Sequence, residues 1–271
     1  MSTVILVLAS ALGIWAFLSP FFTLGAGRAG AATAQGLAHA DDAPLIFILL
    51  LGLCLVVIVA NLETRSMDSR MVAVLGVLVG INATLRLIPG PGGFSAVFFL
   101  PLLCGYVFGA DFGFLLGALS LLASAIITSN VGPWLPFQMF AAGWVGLVSG
   151  WLPRFPGHRR LEVLLLAAWG AVSGFLYGAI MNLWFWPYLT APAGGTAPAS
   201  TSAVWEPGLG LLSTLIRYGL FYLTTSIWWD TGRAAGNLIF ILLVGLPTLR
   251  LLRRFQQRFH FSADEPQPVE G

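Results

Sequence analysis

The sequence contains few charged residues. Only 9% of its 271 residues are charged, whereas 58% are hydrophobic; a soluble domain carries roughly 25% charged residues. The apolar runs are long and unbroken, without the ten-residue pattern of alternating polarity that a membrane-spanning barrel requires. The sequence therefore predicts an all-α integral membrane protein.

Catalytic and metal-binding motifs are also missing. The sequence contains no HExxH, GxSxG or Walker A motif and no paired-aspartate metal motif. Cys54 and Cys104 lie in apolar runs, where cysteine behaves as a small hydrophobic residue. The histidines, His39, His158 and His260, fall in predicted loops or tails. We therefore expect no enzymatic activity, no ATP hydrolysis, and no metal or cofactor bound by this chain.

The net charge of +2 comes mainly from arginines at the ends of apolar runs. Arginines in that position indicate membrane orientation, because short cytoplasmic loops are enriched in basic residues, and they give no reason to expect a nucleic-acid partner. We therefore place the arginine-bearing segments 65–70, 154–160 and 250–258 in the cytoplasm and Trp134 and Trp205 outside.

Eight apolar runs are predicted to span the membrane. The first could instead be a signal peptide, but its apolar run is longer than usual and we expect an uncleaved helix. The run at 209–229 cannot also cross, because the arginine-rich segment 250–258 would then lie outside. We expect it to be a lateral or re-entrant helix on the outer face, connected to the last span by residues 230–233. The predicted spans are 4–22, 44–61, 71–88, 94–108, 112–128, 137–152, 161–185 and 234–252.

Small residues four positions apart mark several predicted spans. Because lipid provides no hydrophobic drive for helix association, such faces let two backbones approach closely and gain dispersion contact. We expect most of these faces to pack within the chain, and we expect Gly76 and Gly80 to form a docking face for a partner subunit. The internal faces are Gly113 and Gly117; Ala142, Gly146 and Gly150; and Gly170, Gly174 and Gly178.

Polar side chains cluster in the predicted outer half of the membrane region. Ionisable and amide groups deep in spans are energetically costly and usually functional. The segment 130–139 carries Pro133 and Pro136, which restrict the backbone, so we expect a short, rigid turn that roofs a ligand site. The predicted substrate-binding residues are Asn82, Arg86, Trp134, Gln138, Asn182, Trp186, Tyr222, Asp230, Arg233 and Asn237.

Several of these residues also have a simpler interpretation. The turn could be a plain connection with an interfacial tryptophan. Asp230 and Arg233 could form a local ion pair, and Arg86 could extend its guanidinium to the membrane surface.

Several segments between residues 70 and 255 carry a family resemblance. They are INATLRLIP at 81–89, LCGYVFGADFGFLLGALS at 103–120, GPWLPFQM at 132–139, GWVG at 143–146, FYLTTS at 221–226, WD at 229–230 and RAAGN at 233–237. The pattern resembles the substrate-binding S components of energy-coupling-factor (ECF) transporters of vitamins and micronutrients.

The resemblance implies a bacterial plasma-membrane protein whose six-helix core, within residues 65–255, binds a micronutrient from outside. It also implies a transmembrane coupling (T) subunit and two cytoplasmic ATPases, which use the ATP, as partners. The family's paired docking alanines map onto Gly76 and Gly80, with glycine in place of alanine. This chain departs from the family by two additional N-terminal transmembrane helices and an outside loop, in residues 1–64; residues 256–271 would form a polar cytoplasmic tail.

Two other classes of function are weighed against this one. A stand-alone membrane carrier or channel for a small organic solute would predict an internal repeat with broken helices in both halves, and the sequence shows none. An intramembrane enzyme would require an acid/base or metal set that is missing. The substrate stays open: a corrinoid would suit the aromatic outer loops, and flavin, thiamin-like and other heterocycles fit the same description.

Overall fold

The structure, a computed structural model, describes residues 2–23, 38–39, 41–64, 67–189 and 203–260. This part of the chain is all-helical, with 83% helix and no strands, which confirms the prediction of an all-α protein. Short 3-10 segments at Pro91–Gly93, Ala96–Phe98 and Trp186–Tyr188 accompany the α-helices. The helices are α1 (Ser2–Thr23), α2 (Ala43–Glu63), α3 (Ser69–Arg86), α4 (Phe99–Phe108), α5 (Ala110–Ile127), α6 (Leu135–Trp151), α7 (Arg159–Phe185), α8 (Leu211–Thr225) and α9 (Ile227–His260).

Seven helical segments in the described residues are long and apolar enough to cross a membrane, which supports a multi-pass membrane protein. They correspond to α1, α2, α3, α4 with its preceding 3-10 segments, α5, α7 and α9. The remaining predicted span, at 137–152, corresponds to α6. This helix has 17 residues and lies at the lower limit of the length that spans a bilayer. At 15 residues, or roughly 22 Å, α8 is too short to cross alone.

The core of the molecule lies where α4, α5 and α6 pack together. Every residue from Phe99 to Val107 in α4 is buried, and α6 buries most of its residues. In contrast, α3 buries only Leu75, Asn82 and Ala83, so most of its surface faces outward. Helices α1 and α2 pack against each other and against α6 from the periphery.

Glycines set the closest helix contacts, as the sequence predicts. A Cβ built at Gly146 in α6 would overlap the carbonyl oxygen of Gly113 in α5, and one built at Gly117 would overlap the carbonyl of Ala142. In α7, a Cβ at Gly174 would lie 2.8 Å from the Cα of Ala234 in α9. The internal small-residue faces are therefore close contacts within one chain, most of them between two backbones; Gly170 and Gly178 instead lie against the side chains of Ile241 and Asp230.

Gly76 and Gly80 differ from these internal glycines. Both are exposed, and no atom of the described residues lies within 4 Å of a Cβ built at either position. Gly76 lines an open apolar groove of about 340 Å³ between α2, α3 and α5. Their role in docking a partner stays a prediction.

The span predicted at 94–108 is not one continuous helix. Residues 94–98 form an extended segment and a 3-10 turn, and α4 begins only at Phe99. The preceding glycines Gly92 and Gly93 have positive φ (64° and 76°), which favours glycine and ends regular structure there. Irregular backbone within a membrane region is tolerated where protein buries it, and residues Ala96 to Phe98 are buried.

The boundary between the last two helices was predicted wrongly. The sequence placed Trp228 and Trp229 in the outer-face helix and residues 230–233 in a connection, whereas α8 ends at Thr225 and α9 begins at Ile227. Asp230 therefore lies in the first turn of α9, where a carboxylate interacts favourably with the helix dipole. Its backbone N–H donates to the carbonyl of Ser226 (3.0 Å), which closes that turn.

Two further boundaries are corrected. The turn predicted at 130–139 is shorter, because α6 already begins at Leu135 and Pro136 occupies its first turn, where a missing N–H costs little. The C-terminal region predicted as a polar tail from residue 256 is helical up to His260. Residues 261–271, Arg65, and the parts 24–37 and 190–202 of the outside loops predicted at 23–43 and 190–207 lie outside the described residues.

Candidate binding site

Three helices meet at Arg86, the last residue of α3. Its guanidinium donates to the hydroxyl of Ser124 in α5 (2.6 Å) and to Oε1 of Gln138 in α6 (3.2 Å). The guanidinium therefore points into the helix bundle and does not extend along the surface. Arg86 and Gln138 were both predicted site residues; Ser124 was not, because a serine in an apolar run gives no distinctive signal.

Asn82 lies one turn before Arg86 on the same helix. Its side-chain amide donates to the carbonyl of Val97 (2.8 Å) in the irregular segment that precedes α4. This bond satisfies a backbone carbonyl that no helix uses. Oδ1 of Asn82 is buried without a hydrogen-bond partner among the described residues.

Tyr177 in α7 lies beside a second polar group. The guanidinium of Arg233 lies over the Tyr177 ring, 5.2 Å from its centroid, in cation–π geometry. The Tyr177 ring also contacts Phe98, with centroids 4.8 Å apart. Sequence reasoning missed Tyr177, since a lone tyrosine in a span resembles any other aromatic residue.

The second polar group lies at the contact between α7 and α9. Arg233 donates to Oδ1 of Asp230 (2.5 Å) and to the carbonyl of Gly174 (3.2 Å). The local ion pair considered from the sequence is therefore present, and Arg233 also joins two helices. One turn further, Asn237 donates to the carbonyl of Gly170 (3.0 Å). These bonds hold α9 on the glycine face of α7.

The Asp230 carboxylate is 2% exposed and lies directly against Gly178, where any side chain would overlap it. The buried hydroxyl of Tyr222 in α8 lies beside the buried Asp230 carboxylate, which is its hydrogen-bonding neighbour. Burial raises the pKa of the Tyr222 hydroxyl, and the neighbouring Asp230 carboxylate raises it further. Tyr222 therefore keeps its proton at neutral pH and can donate it in a hydrogen bond.

An aromatic group covers the start of α6. Trp134 contacts Trp184 of α7 edge to face, with centroids 6.2 Å apart. The His39 ring packs against neighbouring aromatic rings. Its centroid lies 4.4 Å from that of Phe137 and 4.9 Å from that of Tyr188. His39 lies in a turn before α2, as predicted, and it is only 3% exposed. Nε2 of His39 and Nε1 of Trp184 are buried without partners in the described part of the chain.

Two predicted site residues belong to a different neighbourhood. Asn182 exchanges hydrogen bonds with the hydroxyl of Ser226 (2.7 and 3.0 Å) at the junction of α8 and α9. Trp186 is 1% exposed and donates to the carbonyl of Ala203 (2.9 Å). Its ring is packed within a separate hydrophobic cluster that includes Trp205 and Phe221. A buried ring with its N–H already bonded contributes packing there.

The structure therefore places the ten predicted residues in two places. Eight lie in or beside the polar groups around Arg86 and Arg233 or under the aromatic cover, and Asn182 and Trp186 lie toward α8. None of the ten lines the groove beside Gly76 or either of two further cavities, of about 200 and 420 Å³, in the described residues. Within the described residues, no cluster of three or more His, Cys, Asp or Glu side chains could hold a metal ion.

No protein-family model, curated protein or solved structure gives a significant match to this chain.

Proposed function

We propose that this chain is the substrate-specificity (S) subunit of an ECF-type transporter in a bacterial plasma membrane. It captures a vitamin or related micronutrient from outside and passes it to a complex with a transmembrane coupling subunit and two ATPases. The sequence resemblance supplies the family. The arrangement of polar groups between span-capable helices supplies the physical support, because charged side chains at such positions are usually functional.

One observation carries the proposal: two arginines on separate helices lie at helix contacts, with Arg86 bonded to Ser124 and Gln138 and Arg233 placed over the Tyr177 ring. Arg86 contacts only neutral hydrogen-bond partners among the described residues, so no carboxylate compensates its charge there, whereas Arg233 is paired with Asp230. A ligand with carbonyl, amide or anionic groups would find several donors at fixed positions, and nearby aromatic rings would add contact area.

Unpartnered buried atoms surround the same region. Buried polar atoms in proteins are almost always hydrogen-bonded, so each exception requires a reason. A polar ligand is one such reason for a group that includes both donors and acceptors. The atoms are His39 Nε2, Asn82 Oδ1 and Trp184 Nε1.

The proposal is tested by purifying the chain with and without co-expressed ATPase subunits and identifying any retained small molecule by mass spectrometry. We expect one heterocyclic micronutrient bound by the chain alone, and ATP-dependent uptake only by the complete complex. Uptake by liposomes that contain this chain alone would contradict an S subunit.

That contrary result would favour the stand-alone carrier or channel. One feature supports this alternative: the irregular segment before α4 interrupts a span-length region, and broken helices form substrate sites in many carriers. Transport down a gradient without ATPases would establish it.

Trp134→Ala and Gln138→Ala are each expected to weaken binding of the retained micronutrient. Trp134 would lose a stacking surface, worth about 1–3 kcal/mol for an aromatic anchor, or roughly tenfold to a hundredfold in affinity. Gln138 would no longer hold Arg86 through its Oε1. Calorimetry on variants with normal membrane expression measures the change.

Trp228→Ala is the control for this pair, since Trp228 is 79% exposed. It should bind as tightly as the parent protein. If Trp134→Ala and Gln138→Ala also bind like the parent, the turn before α6 is only a connection.

Gly76→Leu and Gly80→Leu are expected to prevent assembly with the coupling subunit while ligand binding is retained. Both positions have open space, so leucine fits within the chain but blocks close approach by another helix. Copurification of the complex measures assembly, and calorimetry measures binding. Val77→Ala, at another exposed position of α3, is the control. Normal copurification of both glycine variants would place the docking face elsewhere.

A further inference from the structure

A cluster of arginines lies at the opposite end of α7 from the candidate binding site. Arg159 begins α7, and the other arginines occupy the last turns of α9. Together they line a cavity of about 200 Å³, enough for a phosphate group with several waters, since each water occupies about 30 Å³. The lining residues are Arg159, Glu162, Leu246, Leu249, Arg250, Arg253, Arg254 and Gln257.

A hydrogen-bond network fixes the side chains and helix ends beside this cavity. Glu162 is 1% exposed, and its Oε1 accepts from Arg253 (2.7 Å), from the hydroxyl of Tyr106 (2.9 Å) and from the backbone N–H of Phe155 (3.4 Å). Gln256 donates to the carbonyl of Val107 (2.9 Å), which anchors α9 to α4. The end of α9 is therefore held at a fixed distance from α7.

The cavity carries a strong excess of positive charge. Four arginines line it with one carboxylate, Glu162, whose charge is already shared with Arg253. The guanidinium groups of Arg159, Arg250 and Arg254 make no hydrogen bond or ion pair with the described residues, and all three side chains are exposed. Three unpaired guanidinium groups that face one concave space favour an anion there.

The basic side chains are all arginines, and this residue type indicates which class of anion the cavity prefers. All 13 basic residues of the chain are arginines, and the planar guanidinium binds phosphate oxygens with two parallel hydrogen bonds. Leu246 and Leu249 line the same cavity, so an apolar surface lies directly beside the cationic groups. This combination fits a phosphate group that is attached to an acyl chain.

We propose that the cavity between α7 and α9 binds the phosphate of an anionic phospholipid headgroup. Basic pockets between transmembrane helices on the cytoplasmic side are known to hold such headgroups. The arginines predict that side here. The bound lipid would join the ends of α7 and α9, and this role is independent of the transported substrate.

The test measures lipid binding to the purified full-length chain by native mass spectrometry and by thermal stabilisation. The probes are phosphatidylglycerol, phosphatidylcholine and inorganic phosphate. We expect phosphatidylglycerol to bind at least tenfold more tightly than phosphatidylcholine, and the double variant Arg250→Gln/Arg254→Gln to lose this preference. Both side chains are exposed, so the variant should fold normally.

Arg160→Gln/Arg217→Gln is the control, because it removes the same charge without touching the cavity. It should retain binding within about twofold of the parent. Equal loss in both double variants would overturn the proposal, since the effect would then be one of overall charge. Inorganic phosphate that binds as tightly as the lipid, and is lost in the cavity variant only, would support the phosphate site and assign it to a soluble ligand.

Discussion

Gly146→Val is expected to prevent the protein from folding. The Cβ of any side chain at this position would overlap the carbonyl oxygen and carbon of Gly113, and backbone of a packed helix cannot move aside as a flexible side chain can. Because α4 also approaches Gly146 through Gly105, a separation of α5 from α6 would disturb the whole core. We expect a loss of about 3 kcal/mol or more, a large part of a typical folding free energy of roughly 5–15 kcal/mol.

Fluorescence-detected size-exclusion chromatography after heating measures this loss. Gly80→Val is the matched control, since the same substitution at an open position should leave the melting temperature nearly unchanged. A Gly146→Val protein that elutes and melts like the parent would show that α5 and α6 do not pack as described.

Asp230→Ala is expected to produce the second large effect. Asp230 is 2% exposed and provides the only carboxylate partner of Arg233 in the described residues. Its removal leaves a charged group between α7 and α9 with only the Gly174 carbonyl and the Tyr177 ring as partners. Breaking a buried ion pair from one side typically costs about 3–5 kcal/mol.

A double-mutant cycle separates this cost from the effect of the lost side chain. Asp230→Ala/Arg233→Met removes both charges, so we expect it to be more stable than Asp230→Ala alone. Glu206→Ala is the control: the Glu206 side chain is 61% exposed in its pair with Arg217, and pairs at the surface contribute about 0–1 kcal/mol. Equal stability of Asp230→Ala and Glu206→Ala would contradict the proposed role of Asp230.

The same double-mutant cycle also distinguishes a loss of ligand contact from a loss of folding in binding measurements. A variant of Asp230 that fails to bind a micronutrient could simply be misfolded, whereas the stabilised double variant should fold. If the double variant folds but does not bind, Asp230 or Arg233 contacts the ligand. If it binds normally, the pair serves only to hold α9 on α7.

Much of the candidate site was predictable from residue type and approximate depth. Arg86, Gln138, Asp230 and Arg233 stood out because polar groups in apolar runs need partners. Their partners did not stand out: Ser124 and Tyr177 are common in helices, and only the crossing of α3, α5, α7 and α9 brings them into contact. Trp186 shows the opposite error, since an aromatic residue near a span end can equally fill a hydrophobic cluster.

Composition and local pattern were enough to predict the helical membrane class and the glycine faces. In lipid the backbone must satisfy its own hydrogen bonds, so long apolar runs form helices, and small residues such as glycine are favoured where two helix backbones approach closely. Both properties are local and are therefore visible in the sequence.

Tertiary structure alone decided which polar groups meet and where helices are interrupted. The break before α4 persists because buried surroundings and the amide of Asn82 support it. His39 is buried by rings from α6 and α7, and Glu162 by Tyr106 and Arg253 from two other helices. Such partners lie far apart along the chain, so their energies depend on packing and leave no periodic signal in the sequence.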